Sequence, residues 1–585
     1  MAHPGPWRRL TAPLAAPRWL AAVLGVAATG IGVGITAKPF RSLDVLIVLV
    51  TAGCVVAGVA EVAGARSWPV RAAGAAWIAA GIVVAVWPGL SLRGLAVVVG
   101  IGLVAGGALR LAAALRRGAD DRLVAVLGGL TRAVFGVLAL AWPDLTLLVV
   151  ALLVGPALIV FGFAQVVGAV WRHEGAEGAG RRRPRRGLRV SGAALGLVSA
   201  LVLLLVSGLV HRSSAEGDAF YVPPADVPAT PGALLRTDRF TRAVPAGAEA
   251  WRILYTTTRD DRTPAVASAI VLAARDRPAG PRPVVAWAHG TTGFASRCAP
   301  SILGDPFTAG AMPSLDQVVS NGWVMVATDY VGLGADPPHP YLIGEPEARS
   351  VLDAVRAARS MDQVELARRT VVWGHSQGGG AALWAGIVAP RYAPDADVVA
   401  VAALAPATEL PAIFSAVKDS PVGRIMGSYV VSAYAARYPD VGFDDYIRAA
   451  ARVQARETAE RCLSGPEALV SVGTALAGES WFARNPADGP LGARLRENIP
   501  RGRIPATLMI AQGLADALVL PAAQRRYVGG LCRAGQALEY RTYRGLDHVG
   551  LVLAPGSPLR EDLVTWTQDR LAGRPGPTGC RVVAR

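Results

Sequence analysis

The sequence predicts two unlike parts in series: an α-helical multi-pass membrane domain of about seven transmembrane helices, then an α/β domain with a helical insert. Three observations carry this. Residues 19–210 are dominated by Ala, Val, Leu and Gly with few charges, whereas the chain after 211 has the mixed composition of a soluble domain. In that second part short apolar runs alternate with helical patterns, the order that builds a sheet covered by helices. The length of 585 residues leaves room for two or three folding units.

A bilayer-spanning helix needs roughly 20 mostly apolar residues. After a cytoplasmic stretch 1–18, the segments that qualify are 19–37, 44–64, 70–87, 91–112, 122–141, 145–171 and 188–210. Arginines set their orientation, because cytoplasmic connections are enriched in positive charge. Arg8, Arg9 and Arg18 precede the first span; Arg66 and Arg71, then Arg116, Arg117 and Arg122, then the 181–189 cluster occupy alternate connections, and the remaining connections are short and nearly uncharged. The N-terminus is expected inside and the C-terminal domain outside.

An internal repeat runs through the first six spans. Pro39, Pro88 and Pro143 stand at equivalent places, each preceded by a glycine (Gly32, Gly81, Gly136) and followed by Ser42-Leu43, Ser91-Leu92 or Thr146-Leu147; Glu61, Arg110 and Gln165 share one later offset. Proline favours a helix's first turn, so each marks the outer turn of a hairpin. The first span belongs to the first hairpin and is expected to be retained, although its basic flank and apolar stretch also fit a cleaved signal peptide. Trp87-Pro88-Gly89-Leu90-Ser91-Leu92 and Trp142-Pro143-Asp144-Leu145-Thr146-Leu147 resemble the HdeD-like family of small repeat membrane proteins over about residues 20–172. That resemblance implies no defined chemistry, and the first copy departs from it with Lys38-Pro39. Arg132 lies deepest of the intramembrane charges and is read as half of a structural ion pair, with a transport role as the alternative.

The net charge of +16 does not point to nucleic acid: arginine far outnumbers lysine, and the densest basic run is a topology signal. Cys54 reads as a small buried residue, whereas Cys298, Cys462, Cys532 and Cys580 all fall in the second part. They fit either two disulfides, which need an oxidising compartment, or four separate thiols.

Residues 211–240 read as a linker and the start of the soluble domain, which occupies 241–585. Strands are expected at 252–258, 266–274, 283–288, 323–328, 370–374, 398–404, 507–511 and 538–543, and helices at 345–361, 378–389, 521–534 and 559–572. Gly374-His375-Ser376-Gln377-Gly378 follows an apolar strand and precedes a helix, the context a nucleophile elbow requires. The fold class is therefore an α/β-hydrolase domain, with Ser376 as nucleophile. Its base is found by elimination: of seven histidines only His548 follows Ser376, and the hydrolase order is Ser, acid, His. Asp516, after the strand 507–511, is expected to orient His548; Asp547 cannot easily orient its own neighbour. The oxyanion donors expected are the amides of Gln377 and of Thr291 or Thr292, in the loop His289-Gly290-Thr291-Thr292-Gly293. Residues 407–500 interrupt the strand pattern as a cap. There Ile413, Phe414, Val417, Ile425, Met426, Tyr429 and Val430 fit either an acyl-chain lining or the cap's own core.

The same region resembles the secretory lipase family, through Phe220-Tyr221-Val222-Pro223-Pro224, the His289–Gly293 loop followed by Cys298, Asp329-Tyr330-Val331-Gly332-Leu333-Gly334, the elbow, and Gly513-x-x-Asp516. The resemblance covers about residues 219–575 and implies extracellular hydrolysis of carboxylic esters, acylglycerols included, under a helical cap. It also implies the pairings Cys298–Cys462 and Cys532–Cys580. The apolar first part departs from it. The expected function is a membrane-anchored, extracytoplasmic serine ester hydrolase acting through an acyl-enzyme, with the lipid bilayer and an ester or acylglycerol as partners. No metal, cofactor or nucleic acid is called for, and the oligomeric state is left open. The alternatives are an acyltransferase or peptidase using the same triad, or a membrane stress or transport protein whose outer domain only binds ligand.

Overall fold

A computed structural model of the chain describes residues 217–585 apart from 260, 277–279 and 478–479; before 217 it describes the helical stretches 92–114, 119–141 and 194–205 and scattered single positions. The chain divides into two compact units, one essentially up to Arg212 and the other from Ser213 onward.

In the first unit, helices α1 (Leu92–Ala114) and α2 (Ala119–Ala141) form an antiparallel pair. A Cβ on Gly107 would stand 2.8 Å from the carbonyl oxygen of Gly129, and one on Gly136 would stand 2.8 Å from that of Gly100. Only glycine permits backbones that close, and close van der Waals packing is what joins helices where no hydrophobic drive exists. Among the described residues one helix, Arg122–Ala141, is long and apolar enough to cross a bilayer, with mean hydropathy 2.1. The expected spans 19–37, 44–64, 70–87 and 145–171 lie largely outside the described residues, as do the repeat's prolines, Glu61 and Gln165; 188–210 is described as helix over 194–205.

The second unit is built on a ten-stranded sheet: β1 (Leu234–Phe240), β2 (Ala248–Thr258), β3 (Pro264–Ala274), β4 (Arg282–Ala288), β5 (Val324–Thr328), β6 (Leu366–His375), β7 (Val398–Leu404), β8 (Thr507–Gly513), β9 (Leu538–Tyr543) and β10 (Cys580–Ala584). Their spatial order is 1-2-3-5-4-6-7-8-9-10. β1, β2, β3 and β5 pair antiparallel in succession, and every pairing from β5/β4 onward is parallel. The eight expected strands are β2 to β9. The edge strands β1 and β10 were not expected: β1 lies inside the stretch read as linker and domain start, and β10 is mostly exposed, so neither shows an apolar pattern.

Strand residues alternate between two apolar layers. Val284, Ala286 and Val372 face helices α3 (Gly344–Ala358) and α4 (Gln377–Tyr392); Val285, Trp287, Val371 and Trp373 face the opposite layer. The cap between β7 and β8 has a third core around Tyr429, Tyr434, Tyr446, Trp481 and Phe482. Its helices are α5 (Leu410–Val417), α6 (Pro421–Arg437), α7 (Arg452–Ala459), α8 (Gly465–Ala477) and α9 (Gly489–Glu497). Helices α10 (Pro521–Arg533) and α11 (Pro558–Leu571) complete the layers.

Candidate active site

Neighbouring parallel strands end together, so the loops after β4, β6, β8 and β9 share one edge of the sheet. Ser376 sits between β6 and α4 with φ 56° and ψ −116°, a conformation that costs a non-glycine residue on the order of 1–3 kcal/mol. The surroundings enforce it. Its N–H donates to the Leu404 carbonyl at 2.9 Å, and its own carbonyl accepts from Gly380 at 3.1 Å and Ala407 at 3.0 Å. The two flanking glycines are obligatory: a Cβ on Gly374 would meet the Gly378 carbonyl oxygen at 2.0 Å, and one on Gly378 would meet that of Ala288 at 2.0 Å.

Asp516 is fully supplied with donors. Oδ1 accepts the amides of Leu518 and Val519, both at 2.8 Å; Oδ2 accepts Gln512 Nε2 at 3.0 Å and His548 Nδ1 at 2.8 Å. Burial alone would raise its pKa, but the bond to His548, the charge there and the two amides together hold it below the usual carboxylate value. A carboxylate only accepts, so Nδ1 of His548 carries a proton, and in the neutral ring Nε2 is the acceptor. That Nε2 is buried and has no hydrogen-bond partner, Ser376 Oγ included. Such bonds are often formed only in the complex with substrate. Asp547 instead caps the amide of Gly550 at 2.6 Å.

Two neighbours of the serine carry contacts that the sequence did not signal. The His375 ring lies 4.8 Å from that of His548, and its Nε2–H donates to the His548 carbonyl at 3.0 Å. Burial, aided by the neighbouring His548, pushes the His375 pKa down to about 3, so it is a neutral strut. The Gln377 side-chain amide donates to Glu347 Oε1 at 2.6 Å and to His339 Nε2 at 3.0 Å. His339 Nδ1–H donates to the Val331 carbonyl at 3.0 Å, leaving its Nε2 as acceptor. Burial raises the Glu347 pKa to about 8 and lowers that of His339 to about 3, so their 3.8 Å approach is a neutral contact and not an ion pair. No periodicity or motif marks Glu347 or His339; they meet Gln377 only through the fold.

The oxyanion candidates are distributed unequally. Gln377 lines a small apolar pocket with Ser376, whereas Thr291 and Thr292 are not among its lining residues. Thr291 Oγ1 bonds the hydroxyl of Tyr341, itself a lining residue, at 2.8 Å, and the Thr292 carbonyl accepts the Leu463 amide from the cap at 2.7 Å. A disulfide, Cys298–Cys462, staples this loop to the cap, and a second, Cys532–Cys580, ties α10 to β10. The cap residues divide between both roles considered for them. Ile413, Phe414 and Met426 line the pocket beside Leu518 and Val519; Ile425, Tyr429 and Val430 belong to the cap core, and Val417 packs beside Ile413. Among the described residues no cluster of His, Cys, Asp and Glu has the grouping that would hold a metal.

Residues 308–579 match the family model for secretory lipases, and residues 72–131 and 127–210 match a short repeat of unknown function (DUF308). Among curated proteins, Lipase 6 of Candida albicans is 22% identical over 66% of this chain and 88% of its own length. The secreted triacylglycerol lipase LIP4 of Malassezia globosa is 24% identical over 57% and 75%. Among solved structures, lipase A of Candida antarctica in its closed state superposes with a TM-score of 0.52 at 17% identity, covering 63% of this chain and 89% of that one. At that identity the likeness speaks for the fold, an α/β-hydrolase with a mixed sheet.

Proposed function

Proceeding from a C-terminal half that is a carboxylic ester hydrolase of the lipase type, we propose that the chain is a seven-span membrane protein holding this domain on the extracytoplasmic side, where it cleaves lipid-like esters through an acyl-enzyme on Ser376. Its organisation would be that expected above: 1–18 cytoplasmic, 19–210 in the membrane, a linker from 211, and the hydrolase to 585 with its cap at about 407–500.

In this mechanism Ser376 Oγ attacks the ester carbonyl carbon while its proton passes to His548 Nε2. Asp516, bonded to Nδ1–H, stabilises the imidazolium. The oxyanion takes the amide of Gln377 and that of Thr291 or Thr292. Collapse expels the alcohol, protonated by His548, and leaves the acyl group on Ser376. Water, deprotonated by His548, then releases the carboxylic acid and restores the serine. The chain's own groups suffice for every proton transfer, and the apolar wall of Ile413, Phe414 and Met426 suits an acyl chain.

The observation that carries the reading is the elbow serine at the end of β6, whose neighbour His375 has its ring 4.8 Å from that of His548, together with the Asp516–His548 pair after β8 and β9. The outside placement is supported by the arginine pattern and by two disulfides, which persist in oxidising compartments. Two measurements test it. Ser376→Ala in membranes should abolish turnover of short-chain nitrophenyl esters, and retained turnover would refute the nucleophile. A protease added to intact cells should remove the hydrolase domain and leave a membrane-embedded fragment; protection until the cells are permeabilised would reverse the topology.

A further inference from the structure

Cap helix α8 turns its two leucines outward and several polar side chains inward. Its inward side carries Glu467, Ser471 and Thr474, all buried, while Leu469, Val472 and Leu476 on its outward side are 75%, 37% and 66% exposed. Pro466 and Gly473 share that outward side, so the stripe holds no charged or hydrogen-bonding side chain. Spacings of three and four residues align 469, 472, 473 and 476 along one face.

The orientation is fixed by what lies beneath. Glu467 accepts Arg297 Nη1 at 2.6 Å and the amide of Cys462 at 2.9 Å, next to the disulfide to Cys298. The Arg424 guanidinium bonds the Ala475 carbonyl from α6. Rolling α8 to bury its leucines would break both bonds to Glu467 and the bond from Arg424 to the Ala475 carbonyl. The apolar stripe is therefore held outward.

We propose that this stripe is the surface on which the hydrolase domain lies against the lipid bilayer, with Leu469, Val472 and Leu476 among the acyl chains. The proposal rests on the membrane-anchored reading above. Two observations favour lipid over a protein partner. A face without polar groups suits the acyl boundary, where interfacial helices bury their apolar sides, whereas protein interfaces carry a hydrogen-bonding rim. The tether is also short: residues 206–216 join the apolar helix 194–205 to the first described residue of the domain, a reach of at most roughly 40 Å even fully extended. Arg424 lies two residues from Met426 of the pocket wall, so a docked α8 would bring the pocket close to the lipid from which an ester is drawn.

The test uses the full chain reconstituted in phosphatidylcholine vesicles, with Cys54→Ala and Val472→Cys carrying an environment-sensitive fluorophore. Quenching by spin-labelled lipid but not by aqueous iodide is expected. Quenching by iodide, or protection from both quenchers because protein covers the face, would overturn the proposal. Sedimentation with the membrane after alkaline carbonate extraction tests anchoring separately, so failure of docking in protein that still sediments counts against docking alone. As a second readout, Leu469→Ser with Leu476→Ser should lower turnover of a long-chain acylglycerol in the bilayer at least about tenfold while leaving a soluble short-chain ester within about twofold, since each leucine kept out of hydrocarbon forfeits about tenfold or more in partitioning. Equal turnover of both substrates by variant and parent would also overturn it.

Discussion

At the carboxyl edge of the sheet, the residues assigned to chemistry are held by directed hydrogen bonds. Ser376 is fixed by three main-chain hydrogen bonds, Asp516 by two amides, and His548 by Asp516 and by a bond from His375 to its carbonyl. In the cap, Ile413, Phe414 and Met426 face the same pocket through apolar packing alone. Residues held in this way cannot shift without breaking a directed bond, whereas packed side chains can be exchanged for others of similar volume. Under the proposed function, the difference would assign reaction type to the sheet and substrate choice to the cap.

Substitutions at the sheet edge should therefore damage every substrate alike. Ser376→Ala or His548→Ala should lower kcat by at least about 10⁴-fold for short and long esters together. Asp516→Asn, which keeps the shape but upsets the tautomer of His548, should cost about 10³–10⁴-fold. A loss confined to one chain length would break the comparison. His375→Phe keeps the ring and removes the donor to His548; as a positioning change it should lower kcat about tenfold or more at unchanged KM, and an unchanged kcat would reduce His375 to packing.

Links between the two regions should show intermediate effects. Cys298→Ser with Cys462→Ser opens a link spanning 164 residues between the segment after the His289–Gly293 loop and the cap. Denaturant titration should show a loss of about 2–5 kcal/mol. Within the cap, Phe414→Ala should change relative kcat/KM between long and short esters by about tenfold, leaving the chemistry intact.

The smallest effect on activity concerns pH. Burial raises the Glu347 pKa from 4.5 to about 8, so the folded chain keeps a proton that the unfolded chain loses. Its contribution is complete below pH 4.5 and is lost as pH rises through about 8. Glu347→Gln should flatten that part of the stability–pH curve, and an unchanged slope would show that Glu347 does not titrate as its burial requires.

The elbow was legible in sequence because its glycines are forced: at Gly374 and Gly378 a Cβ would run into backbone. The choice of His548 rests on elimination, since no other histidine follows the serine. The His375 strut and the Gln377–Glu347–His339 network were not legible, since each joins residues from different elements through side chains that follow no period. The cap resisted for a related reason: apolar residues there serve pocket, core and outer face alike. On α8 the usual rule, apolar inward, points the wrong way, because Glu467 and Arg297 set the helix's orientation. In the N-terminal half, composition speaks for a bilayer environment and glycines explain how α1 and α2 approach, but neither names a reaction.

The account turns on a single activated serine facing outward. A membrane-impermeant fluorophosphonate probe, applied to intact cells expressing the chain and followed by peptide mass mapping, tests this most directly. The account predicts a covalent adduct on Ser376 that is lost in His548→Ala. An adduct on another residue, or labelling only after the cells are opened, would contradict it.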